Sequence, residues 1–283
     1  MSMGTDDFGD LGVGGAKKQG NGKESLIHAV DLVASIGSVA QGTLKISELV
    51  AGPHHVVVRL NYDDLSGHAL QKLVGWGASR QGQLGVTSRA VTSPVEILLP
   101  PSRSRVSQVA LGNQHTVFRH FDGSVTALGS NRRGQLTNIS SLRDVTAVQC
   151  TWNGTIAVNG DNCTSFMSAS GMNEAGQLGH HSGEPGFTPI DLPLDDKMLG
   201  AIACGSEHTL VILNSVGGCA KVLGWGWNEH GNLGTGDTSN VRVPTTLWPS
   251  PAGEKNVEDV PIFAWAGCGT SWVFCIRRGQ PPR

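Results

Sequence analysis

The sequence predicts an all-β fold, a single β-propeller of about six to seven blades with four short strands in each. Three observations lead there. A Gly-x-Leu-Gly turn recurs at Gly9-Asp10-Leu11-Gly12, Gly82-Gln83-Leu84-Gly85, Gly134-Gln135-Leu136-Thr137, Gly176-Gln177-Leu178-Gly179 and Gly231-Asn232-Leu233-Gly234. After the first copy these lie roughly 50 residues apart, a spacing typical of stacked repeats. A second motif alternates with the first: Val50-Ala51-Gly52-Pro53-His54-His55-Val56, Val109-Ala110-Leu111-Gly112-Asn113-Gln114-His115-Thr116 and Ala203-Cys204-Gly205-Ser206-Glu207-His208-Thr209. Each copy leads into an apolar run that reads as a buried strand. Composition is the third observation. With 39 Gly and 13 Pro against 16% charged residues, the chain suits short strands and tight turns, whereas a helical chain would carry more Ala, Glu and Lys.

In chain order, the first element is a half-repeat, Phe8 to Gly15, carrying the first turn. The interval to the next copy is longer than the others, so the segment from Lys23 to Gln41 has room for one diverged blade. Each full unit then reads as a buried strand, a turn, a strand ending in Trp-Gly or its equivalent, the Gly-x-Leu-Gly turn, and a connector carrying proline, as at Pro94, Pro189 and Pro244. The cleanest copy runs Leu223-Gly224-Trp225-Gly226-Trp227-Asn228-Glu229-His230-Gly231-Asn232-Leu233-Gly234. Its glycines permit positive φ or close approach of neighbouring chain, and its leucine anchors the returning segment in a core. Val148–Thr155 and Gly267–Trp272 fill the second motif with Gly154 and Trp272 in the histidine position, and Trp272–Ile276 reads as a buried strand. A half-repeat at one end and a buried strand at the other predict closure by pairing of the N- and C-terminal segments. Residues 1–283 therefore read as one domain, with a glycine- and lysine-rich mobile loop near 17–24 and long inter-strand loops at 61–71, 215–218 and 249–257.

With 21 basic and 23 acidic residues the formal charge is −2, so no global field favours nucleic acid or an anionic membrane. There is no run of 18 or more apolar residues and no signal-peptide core in Met1–Lys23, which leads to an expected cytoplasmic location with the nucleus as a second compartment. The six cysteines, Cys150, Cys163, Cys204, Cys219, Cys268 and Cys275, contain no Cys-x-x-Cys pair and read as reduced, mostly buried thiols. Sequons at Asn138, Asn153 and Asn162 have no secretory context and read as chance.

The paired signatures, Ala-Cys-Gly-x-x-His-Thr followed by Gly-Trp-Gly-x-Asn-x-x-Gly-x-Leu-Gly, resemble the propeller repeat of the regulator of chromosome condensation family over most of residues 44–276. Within it, the short length and the run Gly224–Asn232 look like the group of fungal alpha-tubulin suppressors, or killer-toxin-insensitivity proteins. That resemblance implies a non-enzymatic partner of a small zinc-binding electron carrier. The pair would serve diphthamide synthesis and, with Elongator, modification of wobble uridines in transfer RNA. The alternative is a guanine-nucleotide exchange factor for a Ran-type small GTPase. Residues 1–24 lack the basic tail of the founding exchange factors, holding Lys17, Lys18 and Lys23 against Asp6, Asp7, Asp10 and Glu24. A third reading, an ultraviolet receptor on the same fold, lacks a recognisable interface cage of tryptophan and arginine.

No residue stands out to carry catalysis. There is no Gly-x-Ser-x-Gly elbow and no Walker-type loop. His55, His115 and His208 occupy one slot in successive repeats, which separates them and gives each a structural rather than a metal-binding reading. His180-His181 reads as solvent-facing. Catalytic, cofactor and metal residues are therefore expected to be absent. Trp76 and Trp225 sit in repeat slots and read as core or blade-edge residues. Trp227, Trp265 and Trp272 depart from the repeat and crowd the C-terminal third. Together with Glu229 and His230 they are the candidate partner-binding residues, since aromatic side chains in excess of packing needs are typical interface anchors.

Overall fold

The structure, a computed structural model, describes residues 1–2, 7–14, 27–36, 39–40, 42–100, 104–160, 165–181, 184–194, 197–215, 220–249 and 259–277. The 17–24 loop, Asn162, Cys163, Cys219 and most of the loops at 215–218 and 249–257 lie outside these residues. Among the described residues, five antiparallel sheets follow one another along the chain. The first is β1 (Lys45–Ala51), β2 (His55–Asp63), β3 (Ala69–Ser79) and β4 (Ser88–Glu96) in that order. The second is three-stranded: β5 (Val106–Leu111), β6 (His115–His120) and β7 (Val125–Gly129). The third holds β8 (Val145–Cys150), β9 (Gly154–Asn159), β10 (Phe166–Gly171) and β11 (Thr188–Ile190), and the fourth β12 (Lys197–Cys204), β13 (His208–Ser215), β14 (Lys221–Gly226) and β15 (Val241–Trp248). The last has only β16 (Asp259–Ala266) and β17 (Ser271–Arg277) among the described residues.

The chain divides into two compact units, residues 1–122 with 126–130, and 123–125 with 131–283. In the first, Val57, Leu73, Leu84, Val109 and Phe118 form the core. In the second, Ile156, Met167, Leu178, Val211, Leu223 and Trp225 do so. Central strands such as β9 are buried at every position, the expected result when both faces of a sheet are covered.

The Gly-x-Leu-Gly turn has a specific structural task. Its leucine, as Leu11, Leu84, Leu178 or Leu233, is buried. An upstream side chain ties the turn down: Asn131, Asn173 and Asn228 Oδ1 accept the N–H of Leu136, Leu178 and Leu233 at 2.8, 3.0 and 2.8 Å. The turn then receives a residue from the third strand of the following sheet. Trp76 Nε1 donates to Asp10 O at 2.9 Å and Trp225 Nε1 donates to Gln177 O at 3.1 Å. The fourth glycine makes this possible, because a Cβ on Gly12 or Gly179 would lie 2.9 or 2.8 Å from the indole, and both glycines have positive φ. Ser170 fills the same slot on the Gly134 turn, its hydroxyl donating to Gly134 O at 2.6 Å. Leu128 occupies it beside Gly85.

The histidines stitch successive repeats in a second way. The Thr116 hydroxyl donates to Gln83 O at 2.7 Å, so His55, 2.9 Å away through Nε2, must be the donor to Thr116. His208 Nε2 meets Ser271 Oγ at 3.0 Å. Gly112 and Gly205 are glycine because the ring of the histidine three residues on lies where a Cβ would be. Burial pushes His55 down to about 3, with His115 and His54 adding to the shift, and it also lowers His208.

Several expectations need correction. No diverged sheet lies in the described part of 23–41, which carries a short 3-10 turn, Val33–Ser35, capped by the Asp31 carboxylate. Its apolar residues Val30, Leu32 and Ile36 pack as coil on the Val58, Leu60 and Trp76 cluster. The 61–71 loop shrinks to a turn at 64–68, where Asp64 Oδ1 accepts from Ser66 and His68 N–H and lets β2 and β3 extend. No N-terminal strand joins the last sheet among the described residues, and Ser2 bridges His28. Trp272–Ile276 is not buried: Trp272 is 67% exposed. Nor does Trp272 hold the histidine slot. Gly205 N–H donates to His208 O and Gly267 N–H to Thr270 O, which makes Thr270 the counterpart of His208 and Ser271 that of Thr209. His180, expected on the surface, is buried, and Cys268, expected inside, is exposed.

Candidate protein-docking surface

The turn after β14 holds three of the candidate residues. Asn228 organises it, since its side-chain amide donates to Thr235 Oγ1, Asp237 O and Ser239 O at 3.0, 3.1 and 3.1 Å. That network leaves Glu229 and His230 exposed at the tip. Trp227 is half-buried, its N–H donating to Glu207 O at 2.8 Å. Its ring meets His230 edge-on with centroids 4.6 Å apart. Both rings lie against Gly269, in the hairpin between β16 and β17. The carboxyl of Glu207 is raised by burial and by the nearby charges of Glu174 and Glu229, so the region around this turn is acidic.

Trp265 and Trp272 pair directly across β16 and β17, and beneath them Phe263 pairs with Phe274. All four rings are more than half exposed, at 55, 67, 55 and 54%. Side chains two apart on a strand share a face, so these rings and Ile276 make one aromatic face. Phe263 and Trp265 stack with centroids 5.8 Å apart. A cleft of about 590 Å³ runs along β17, with His230, Asn232, Leu233, Trp248 and Trp272 among its walls. Thus His230 and Trp272 share one cleft and Trp227 braces it from behind. Glu229 stays on the outer rim, and Trp265 lies on the face rather than in the cleft. Sequence reasoning misses Phe263 and Phe274, although Phe263-x-Trp265 and Trp272-x-Phe274-x-Ile276 is the alternation of a one-sided strand.

The repeats match a known family model. The regulator of chromosome condensation repeat fits residues 72–119, 169–212 and 220–276, more than half of the chain, and a second model of the same repeat fits 106–135. The chain belongs to the regulator of chromosome condensation (RCC1) repeat family. It is 25% identical over 260 residues to the ultraviolet-B receptor UVR8 of Arabidopsis thaliana, covering 87% of this chain and 53% of the receptor. It is 27% identical over 238 residues to the mouse RCC1 domain-containing protein 1, covering 84% and 57%. The chain therefore spans about half the length of these relatives. Among solved structures, human WBSCR16 superposes with a TM-score of 0.72 over 97% of this chain and 66% of that one, at 17% identity. Prp20p of Saccharomyces cerevisiae gives 0.51 over 84% and 70%, also at 17% identity. These likenesses establish an all-β chain of propeller-type RCC1 repeats.

Within the RCC1 repeats the polar chemistry serves structure. The described residues contain no group of three or more His, Cys, Asp or Glu able to hold a metal. Burial, aided by neighbouring Cys204, raises the Cys150 thiol, and burial pushes Cys204 up to about 12, so neither is a ready nucleophile.

Proposed function

We propose that this chain is a non-enzymatic protein-binding module that docks a partner on its last sheet. The observation that carries the reading is the aromatic face of Phe263, Trp265, Trp272 and Phe274. Four half-exposed rings leave roughly 400 Å² of apolar surface open to water, the size at which a patch marks an interaction site. Aromatic anchors at this density dominate binding energy while the surrounding rim excludes water. The tubulin-suppressor resemblance names the partner to try first, the small zinc-binding electron carrier of the diphthamide pathway, with Elongator as its client. The proposed compartment is the cytoplasm, with the nucleus as a second one, as expected from the polar N-terminal sequence.

The test is a titration of the purified zinc-binding carrier against the chain and against a Trp265→Ala/Trp272→Ala variant. Binding that weakens at least tenfold in the variant, with an unchanged melting temperature, supports the reading. A second reading draws on the fold neighbour Prp20p, a protein with binding properties to Gsp1p and histones, and on the acidic rim at Glu207 and Glu229. Failure of the carrier to bind, with stable capture of a nucleotide-free Ran-type GTPase, would replace the first reading by an exchange factor.

A further inference from the structure

Between the first and second sheets, side chains bridge the gap between β1 and β5. Gln71 uses its carboxamide twice on one residue, Oε1 accepting the Val106 N–H at 2.8 Å and Nε2 donating to Val106 O at 2.9 Å. Arg59 Nη1 donates to the same oxygen at 3.4 Å, and its Nε donates to Glu48 at 3.1 Å. Glu48 Oε1 in turn accepts the Val109 N–H at 3.3 Å. Asn61 backs this arrangement, its Oδ1 accepting from Gln71 Nε2 at 3.4 Å.

The repeat places counterparts of all four residues between the third and fourth sheets. Gly52, Gly112, Thr151 and Gly205 each donate an N–H to the carbonyl three residues on, which fixes the register of every hairpin. Glu48 then corresponds to Ala147 and Arg59 to Val158, and each couple is paired across its two strands. Gly77 lies opposite His55 as Gly171 lies opposite Gly154, so Gln71 corresponds to Ser165 and Asn61 to Gly160. Every counterpart is smaller than the residue it matches. All four line a cavity of about 250 Å³ whose far wall is 199–202 of β12.

The backbone groups that the first gap satisfies are present in the second. Leu199 corresponds to Val106, each sitting just before the same register shift, and Ile202 corresponds to Val109. β12 is the edge strand of its sheet. Because the Gly205 N–H faces β13, alternation along the antiparallel ladder turns the Ile202 N–H away from β13. The bulged residue between them, Gly200, keeps the wall clear of a side chain, since Asn214 lies where its Cβ would be. No charged side chain lines the cavity among the described residues.

We propose that this cavity binds a small neutral molecule carrying a primary carboxamide on a compact apolar body. Its carboxamide repeats the part played by Gln71: the oxygen accepts the Leu199 N–H and the amide nitrogen donates to Leu199 O. The apolar body packs against Ala147, Val158 and Ile202. A carboxylate or a cation in this place would lose its hydration and find no opposite charge. The size suits a fragment rather than a larger ligand. The site goes beyond the protein-docking reading and shares no residue with the last sheet.

The probe is benzamide, titrated against the whole chain and followed through its backbone amide NMR signals, beside benzoate and N,N-dimethylbenzamide. Benzamide should saturate, with its largest shifts at Leu199 and Ile202. Benzoate, which is charged, and the dimethyl amide, which has no N–H to donate, should bind at least tenfold more weakly. Ser165→Gln restores the residue of the first gap, so it should occupy the Leu199 edge and weaken benzamide at least tenfold without lowering the melting temperature. Ala147→Leu fills the apolar end and should weaken benzamide by a similar factor. Absence of saturation, shifts centred on other sheets, equal affinity for benzamide and the dimethyl amide, or wild-type affinity in both variants would each overturn the proposal. Carrier binding to the last sheet would be unaffected by any of these results.

Discussion

The turns Gly176–Gly179 and Gly231–Gly234 carry nearly the same sequence and end in opposite states. The first is closed by Trp225, fully buried with its N–H on Gln177 O. The second ends at an exposed edge beside Trp272. A repeat motif therefore fixes the shape of a turn but not what packs on it, which depends on residues outside the motif. Where an indole seats on the turn, as Trp225 does at Gly179, the glycine serves close packing.

The largest expected effect would come from breaking the closed turn. Trp225→Ala should cost about 3–5 kcal/mol, the usual loss for truncating a buried aromatic, read from urea unfolding. A loss below about 1 kcal/mol would show that the clasp contributes little.

Acid comes next. His55 is held at about 3 in the folded chain, while an unfolded histidine titrates near 6.5. The unfolded state therefore takes up the proton first, and stability should fall as pH drops from about 6.5 toward about 3. At pH 5 the loss should be about 2 kcal/mol from this residue. His208 shifts in the same direction and adds to it. Equal urea midpoints at pH 7.5 and pH 5 would contradict the buried, neutral stitch.

Ser170→Ala removes the hydroxyl that closes the Gly134 turn and should cost about 1 kcal/mol. The smallest stability effect belongs to the open region. Trp272→Ala should change the stability of the free chain by less than about 0.5 kcal/mol, as for exposed sites in general, while weakening partner binding. Calorimetric melting beside the carrier titration checks both halves of that statement.

The repeats are legible in the sequence because their glycines and leucines are dictated locally, by positive φ and by one buried side chain in each turn. Trp76 and Trp225 are readable as core for the same reason, although their shared task of reaching back to the preceding turn is not, because it joins residues 48 and 66 apart in sequence. The last repeat misleads. Trp272–Ile276 has the composition of a buried strand, yet Trp272, Phe274 and Ile276 are exposed among the described residues. Trp265 and Trp272 stand out by excess, but Phe263 and Phe274 need the strand register to join them on one face. The motif alone also misaligns Trp272 by two positions, since Thr270 holds the slot, an error that the Gly267–Thr270 hydrogen bond corrects.

Hydrogen exchange along the whole chain, alone and with saturating zinc-binding carrier, tests the docking face most directly. The carrier should protect residues 259–266 and 271–277, the strands that bear Phe263, Trp265, Trp272 and Phe274, and leave the other sheets unchanged. Carrier protection falling on other sheets, or none on these two strands, would contradict a docking face on the last sheet.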